Sequence, residues 1–161
     1  MSEPTIQRCC TFRVGEACFA LPADGVVEVL RGGSLARVPR APEGVLGLLH
    51  LRGRIVPIID PAAQLGISRI ADVRATHLVI ELQDDWYGLV IDEMLDVVEI
   101  PADRVEQATA PATEASGDAL IGVFAAQDRL VHLLDPHRMI HSLTRLRPQA
   151  PERQGVSHGR P

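Results

Sequence analysis

Six histidines, three cysteines and 21 carboxylates are the residues of this 161-residue chain whose types could carry chemistry. Their spacing supplies little of it. His137 and His141 stand one helical turn apart and could share a metal ion, but no third ligand lies near them, so ordinary surface histidines are expected. His50 and His132 fall inside strand-like runs, where a half-buried, hydrogen-bonded ring is the common situation. Asp60 and Asp135 each precede a proline at a strand end, where aspartate caps a turn or helix more often than it serves as an acid. Asp84-Asp85 and Asp92-Glu93 are adjacent pairs. Neighbours on a strand point to opposite faces and cannot work as one acid–base couple, so solvated turns are expected. Cys9, Cys10 and Cys18 are odd in number and bunched, which fits neither a disulfide framework nor a zinc spacing; reduced thiols are expected. There is no glycine-rich phosphate loop and no Gly-x-Ser-x-Gly, and the chain contains no lysine, which excludes P-loop and Schiff-base chemistry. A non-enzyme without metal or cofactor is the expectation.

Composition narrows the partners. The net charge is −5, the 16 basic residues are all arginine, and no basic run offers a footprint for a phosphate backbone. Aromatic residues are 3 % of the chain, with Trp86 and Tyr87 side by side, so a stacking platform for single-stranded nucleic acid is unsupported. No apolar stretch approaches the roughly 20 residues that span a bilayer, and residues 1–10 lack the apolar core of a signal peptide. A cytoplasmic protein with protein partners is expected. One polar residue stands out: Arg52, between Leu51 and Gly53 at a hairpin tip, where a guanidinium on a tight turn can offer directional hydrogen bonds at low ordering cost.

The elements that must hold it are strands. Short alternating or apolar runs rich in Val, Ile and Leu end at Gly, Pro or Asp. Residues 12–21 read as a hairpin turning at Gly15-Glu16, and 26–30 as a third strand. Residues 48–60 form the clearest hairpin, with Arg52-Gly53 at the tip. Pro57 cannot donate to a ladder, which predicts an edge strand or a bulge there. Residues 76–82 and 86–91 repeat the hairpin, 96–100 add a short strand, and 121–124 with 130–134 make another turning at Gln127-Asp128. Residues 102–117 are expected as a surface loop, 137–143 as a short C-terminal helix started by Pro136, and the polar tail from Arg145 as disordered.

The chain also repeats itself. Arg54-Ile-Val-Pro-Ile-Ile-Asp60-Pro61 lies over Arg129-Leu-Val-His-Leu-Leu-Asp135-Pro136, and Val26-Val-Glu28-Val29 over Val97-Val-Glu99-Ile100. A duplicated all-β unit of about 70 residues follows. Units that small bury little surface alone, so the halves should pack together and leave a seam.

Gly47-Leu-Leu-His-Leu-Arg-Gly-Arg-Ile-Val-Pro-Ile-Ile-Asp60 resembles the signature of the CheW-like coupling domain of bacterial chemosensory systems, G-hydrophobic-hydrophobic-N-L-R-G-x-hydrophobic-hydrophobic-P-hydrophobic-hydrophobic-D. Phe19-Ala-Leu-Pro, residues 26–30, Gly88-Leu-Val-Ile-Asp92 and residues 121–140 resemble the rest of it. The resemblance implies an all-β fold of two packed five-stranded SH3-like barrels with a short C-terminal helix. It spans residues 11–144, with halves at 11–72 and 73–144 and strand exchange between them left open, between a flexible 1–10 and a disordered 145–161. It also implies a non-catalytic adaptor that joins the cytoplasmic tips of chemoreceptors to the regulatory domain of a CheA-type histidine kinase, in membrane-associated arrays. By position, Glu28 and Arg52 match residues of receptor or array contacts, and Val26 and Val97 apolar positions near the groove between the barrels. His50 replaces the usual Asn, and His77 stands where a small aliphatic residue near the receptor groove is expected. Two alternatives remain: an adaptor of a non-flagellar pathway controlling pili, surface motility or a second messenger, and a double barrel that binds a small ligand at its seam.

Overall fold

The computed structural model describes residues 5–41, 44–62, 64–67, 76–107 and 119–145. Among these residues eleven strands and one α-helix follow in chain order: β1 (Ile6–Val14), β2 (Ala17–Pro22), β3 (Val26–Arg31), β4 (Val45–Leu51), β5 (Arg54–Ile59), β6 (Thr76–Leu82), β7 (Asp85–Ile91), β8 (Glu93–Pro101), β9 (Glu106–Gln107), β10 (Leu120–Ala126), β11 (Arg129–Leu134) and α1 (Pro136–Arg145). Two sheets result, ordered β8-β1-β2-β11-β10-β9 and β3-β6-β7-β5-β4.

The two orders are one topology written twice. Hairpin β1–β2 corresponds to β6–β7, β8 to β3, β11 to β5 and β10 to β4. Each sheet contains one parallel pair, β11 with β2 and β5 with β7, at matching places. The hairpin of each half is built into the other half's sheet: β1–β2 pairs with β8 and β11, and β6–β7 with β3 and β5. The seam between the sheets is therefore crossed by the chain and filled by a shared core. Phe12, Leu21, Leu78, Leu89, Ile91, Leu134 and Met139 pack there from both sheets and α1. Burying each such side chain stabilises the fold by about 1.5–3 kcal/mol. Smaller clusters fill the concave side of each sheet, around Phe124 and Val131 in one and Val56 and Val79 in the other.

A hydrogen bond marks the local twofold relation. Gln64 Nε2 donates to the carbonyl of Met139, its own counterpart in the repeat, at 3.1 Å. Gly47 and Gly122 are another matched pair, each beside a bulge in its hairpin. A Cβ on Gly47 would sit 2.7 Å from the Ala36 carbonyl oxygen, and one on Gly122 2.5 Å from that of Glu106. The missing side chain lets a short segment lie against the outer strand of each sheet. That segment is the Ala36–Leu48 bridge in one sheet and β9 in the other.

Several expectations are corrected. The sheets are not closed barrels: the ladders run from edge to edge, and one of them has six strands. β1 starts at Ile6, within the expected flexible terminus, because residues 6–10 pair with β8. The expected loop at 102–117 begins with a 3-10 turn and β9, which pairs with Gly122 and Val123; its remainder lies outside the described residues, as does the tail from 146 on. Of the two settings expected for Pro57 the edge is not found, since β5 lies between β7 and β4, whereas β4 does carry a bulge between Val45 and Gly47, opposite Ile58 and Ile59. Pro57 is tolerated because the β5–β7 ladder contains only Ile58 and Ile59, so no N–H is required at position 57.

Candidate functional site: the Arg52 turn and its carboxylate

Strands β4 and β5 are joined by two residues, Arg52 at φ 51° and Gly53 at φ 79°. Both central residues in the left-handed region define the turn whose twist matches a tight hairpin. Glycine accepts that conformation freely, whereas for arginine it costs on the order of 1 kcal/mol. The cost is accepted at a position where the side chain is aimed across the sheet.

Arg52 Nε stands 3.2 Å from Glu28 Oε1 on β3. The N–H does not point along that line and Oε1 is shielded from solvent, so the contact is an ion pair without a hydrogen bond. The Arg52 side chain is 67 % exposed and that of Glu28 21 %, so the guanidinium is available on its outer side. β3 and β4 are the two edges of the five-stranded sheet. The pair thus ties the edges together beside the Ala36–Leu48 bridge, where Ala36 N–H and Leu48 N–H donate reciprocally at 2.9 and 2.8 Å. A half-exposed pair of this kind contributes about 0.2–1 kcal/mol, too little to explain its place by stability alone.

The repeat supplies the contrast. The residues equivalent to Arg52 and Gly53 are Gln127 and Asp128, also in left-handed conformation, and the one equivalent to Glu28 is Glu99. Glu99 pairs with Arg8 on β1 at 3.1 Å instead. Cation and carboxylate meet across the sheet edges in one half of the duplication.

Of the four residues expected at the site, the structure joins Glu28 and Arg52. Val26 lies on β3 two positions away, half-buried against the shared core and paired with Ile80. Val97 belongs to the other sheet, on edge strand β8, where it is 58 % exposed. His50 projects outward from β4 next to the turn.

His77 is corrected. It is not at the surface but fully buried in β6, across from Leu30 and Val90, on the face that carries Val79. Neither ring nitrogen makes an aligned hydrogen bond. Burial pushes the imidazole below its ordinary value of 6.5, against a smaller opposing effect of the Gly32 backbone.

Other expectations hold. Asp135 Oδ1 accepts from His137 N–H at 2.9 Å and Arg138 N–H at 3.3 Å, and Asp60 Oδ1 from Ala62 N–H at 3.0 Å; both are caps. His132 is half-buried, its Nδ1 3.1 Å from the Cys18 carbonyl and its ring 5.4 Å from that of Phe19. The three cysteines are free thiols, with Cys9 pushed up to about 11 chiefly by burial. Asp92 differs from a solvated turn: Oδ2 accepts from the Gly15 N–H and faces Arg13, fastening the first hairpin to the β7–β8 junction. Its position directly after an apolar strand was the available signal.

Sequence reasoning also missed Arg54, whose guanidinium carbon lies 4.4 Å from the centre of the Trp86 ring and whose Nη1 donates to the Asp84 carbonyl at 2.9 Å. Its visible sign was an arginine two places after Arg52 in a chain with one tryptophan. Among the described residues no group of three His, Cys, Asp or Glu side chains is placed to hold a metal, and no helix is long and apolar enough to cross a membrane.

Comparison with known proteins gives one family. A profile described as CheW-like domain matches residues 8–144. The chain is 26 % identical over 134 residues to the chemotaxis protein CheW of Thermotoga maritima, covering 83 % of this chain and 87 % of that one. It is 29 % identical over 130 residues to protein PilI of Pseudomonas aeruginosa, covering 80 % and 72 %. The crystal structure of the scaffolding protein TtCheW from Thermoanaerobacter tengcongensis has a TM-score of 0.74 at 25 % identity, covering 85 % of this chain and 92 % of that one. With a matched family profile over nearly its whole folded length and a solved relative of the same architecture, the chain belongs to the CheW-like domain family.

Proposed function

We propose that the chain is a non-catalytic adaptor that couples the cytoplasmic tips of chemoreceptors to the regulatory domain of a CheA-type histidine kinase. The observation that carries this reading is the Arg52–Glu28 pair in a member of the CheW-like family. It is a cation on a costly turn, exposed on its outer side, in only one of two duplicated halves. Arg52 and Glu28 form the polar part of the partner surface, and Val26 and Val97 its apolar part. The folding unit runs from Ile6, where β1 begins, to the end of α1 at Arg145. The protein acts in the cytoplasm and is recruited to membrane-associated receptor arrays without inserting into the bilayer.

A second reading, an adaptor in a non-flagellar chemosensory pathway controlling pili, surface motility or a second messenger, is favoured by similarity to proteins named PilI and FrzA beside those named for chemotaxis. It uses the same surface and differs in which receptor is bound.

The test is a titration of the full chain against the kinase regulatory domain and a receptor-tip fragment from the same genome. Saturable binding to both is expected. Binding to neither by a folded protein overturns the adaptor reading.

A further inference from the structure

The hairpin that carries Arg52 has a short footing on its sheet. The parallel ladder from β5 to β7 consists of Ile58 with Gly88 and Ile59 with Leu89, and Pro57, the next residue toward the tip, has no N–H to extend it. The other half of the repeat shows what is lost. There His132 stands in place of Pro57, and the β11–β2 ladder runs through Val131 with Cys18, His132 with Phe19 and Leu133 with Ala20. Matching the ladders places Trp86 where the other half has Cys18, and Arg54 where it has Arg129.

Side chains bridge the gap that Pro57 leaves. Arg54 lies over the Trp86 ring and donates to the Asp84 carbonyl, and Trp86 in turn rests on the concave cluster of Val56, Ile58 and Val79. In the other half, with Cys18 in place of the ring, the same region is an open groove of about 610 Å³ bordered by Arg129, Cys18, His132 and Glu93. Arg54 is exposed and Trp86 half-buried, so the stack restrains the hairpin about as strongly as the half-exposed ion pair does. The stack therefore adds to the Arg52–Glu28 contact a second, independent restraint on where the hairpin tip stands.

We propose that Arg54, stacked on Trp86, is the positioning residue that holds the Arg52 turn against Glu28 and thereby sets the strength of partner binding. This rests on the adaptor reading for its functional consequence, while its structural part stands without any partner. Lysine is a poor substitute, since it keeps charge over the ring but loses the planar fork that also reaches Asp84.

Two measurements on the full chain test it. In the first, the Arg52 Nε–Hε resonance is followed by NMR in the wild type, Arg54→Ala and Trp86→Leu. It should lie at an ion-paired position in the wild type and move toward that of free arginine in both variants. In the second, affinity for the kinase regulatory domain should fall about fivefold in Arg54→Ala, with melting temperature nearly unchanged and about half the loss recovered in Arg54→Lys. Adding Arg54→Ala to Arg52→Ala should cost nothing further. An unmoved Arg52 resonance, or full additivity of the two losses, overturns the positioning role. If the wild type binds no partner at all, the adaptor reading fails while the resonance still decides whether Arg54 positions Arg52.

Discussion

Arg52 and Glu28 meet at 3.2 Å across the two edges of one sheet, although that sheet runs through five strands in the order β3-β6-β7-β5-β4 from one edge to the other. A contact between opposite edges can form only when the sheet curls, so the pair reports the curvature of the sheet as well as the charge at the turn. Reversing both charges should preserve the geometry and change what is displayed.

Arg52→Glu places two carboxylates face to face and removes the outward cation. Partner affinity should fall at least tenfold, while stability drops by no more than about 1 kcal/mol, because the pair is half-exposed. Combining it with Glu28→Arg should restore stability without restoring binding. Urea unfolding and a binding titration on the wild type, the two single variants and the double variant separate the two effects.

His77 makes stability depend on pH in a defined direction. Its value in the unfolded chain is 6.5 and burial lowers it in the folded protein, so below 6.5 the unfolded state binds the proton more readily than the folded one. Stability contributed by the neutral ring is fully present above pH 6.5 and is lost as the pH falls from there through the lower folded value. His77→Leu should remove that loss. The check is the difference in unfolding free energy between the two proteins from about pH 8 to 5: roughly constant above about 7 and growing below 6.5 in favour of the leucine variant.

Gly47 and Gly122 should be intolerant of even one added methyl group. Each would bring a Cβ within 2.7 Å of a backbone oxygen on the segment that covers its strand. Gly47→Ala and Gly122→Ala should each cost about 1–3 kcal/mol by urea denaturation. Gly53→Ala, with φ 79° and open space around it, should cost about 1 kcal/mol through backbone strain alone.

Most of the architecture was legible in the sequence for a physical reason. Strands with one buried face alternate with period two, and the turns at Gly15, Arg52-Gly53, Gln83-Asp84 and Gln127-Asp128 interrupt that alternation with polar residues and glycine, held in left-handed backbone. The repeat of 54–61 at 129–136 revealed the duplication. Whether the halves exchange strands, left open by the sequence, was not decidable from it, since β1 pairs with β8 and β3 with β6, and nothing local distinguishes that partner from another apolar strand. β9 escaped because two residues have no period. Arg52 was found by its turn and Glu28 by its resemblance, but their meeting depends on sheet curvature. The full burial of His77 was not legible, because its place came from resemblance alone and one residue of register decides which face of a strand a side chain takes.

Reconstitution of coupling tests the adaptor role most directly. Kinase autophosphorylation is measured with receptor-bearing membranes and the kinase, with and without this protein, in its wild-type and Arg52→Glu forms. Receptor control of the kinase is expected to require the wild-type protein and to be lost with Arg52→Glu at equal concentration. Receptor control that is unchanged by omitting the protein, or equal control with the folded Arg52→Glu variant, would contradict the adaptor role.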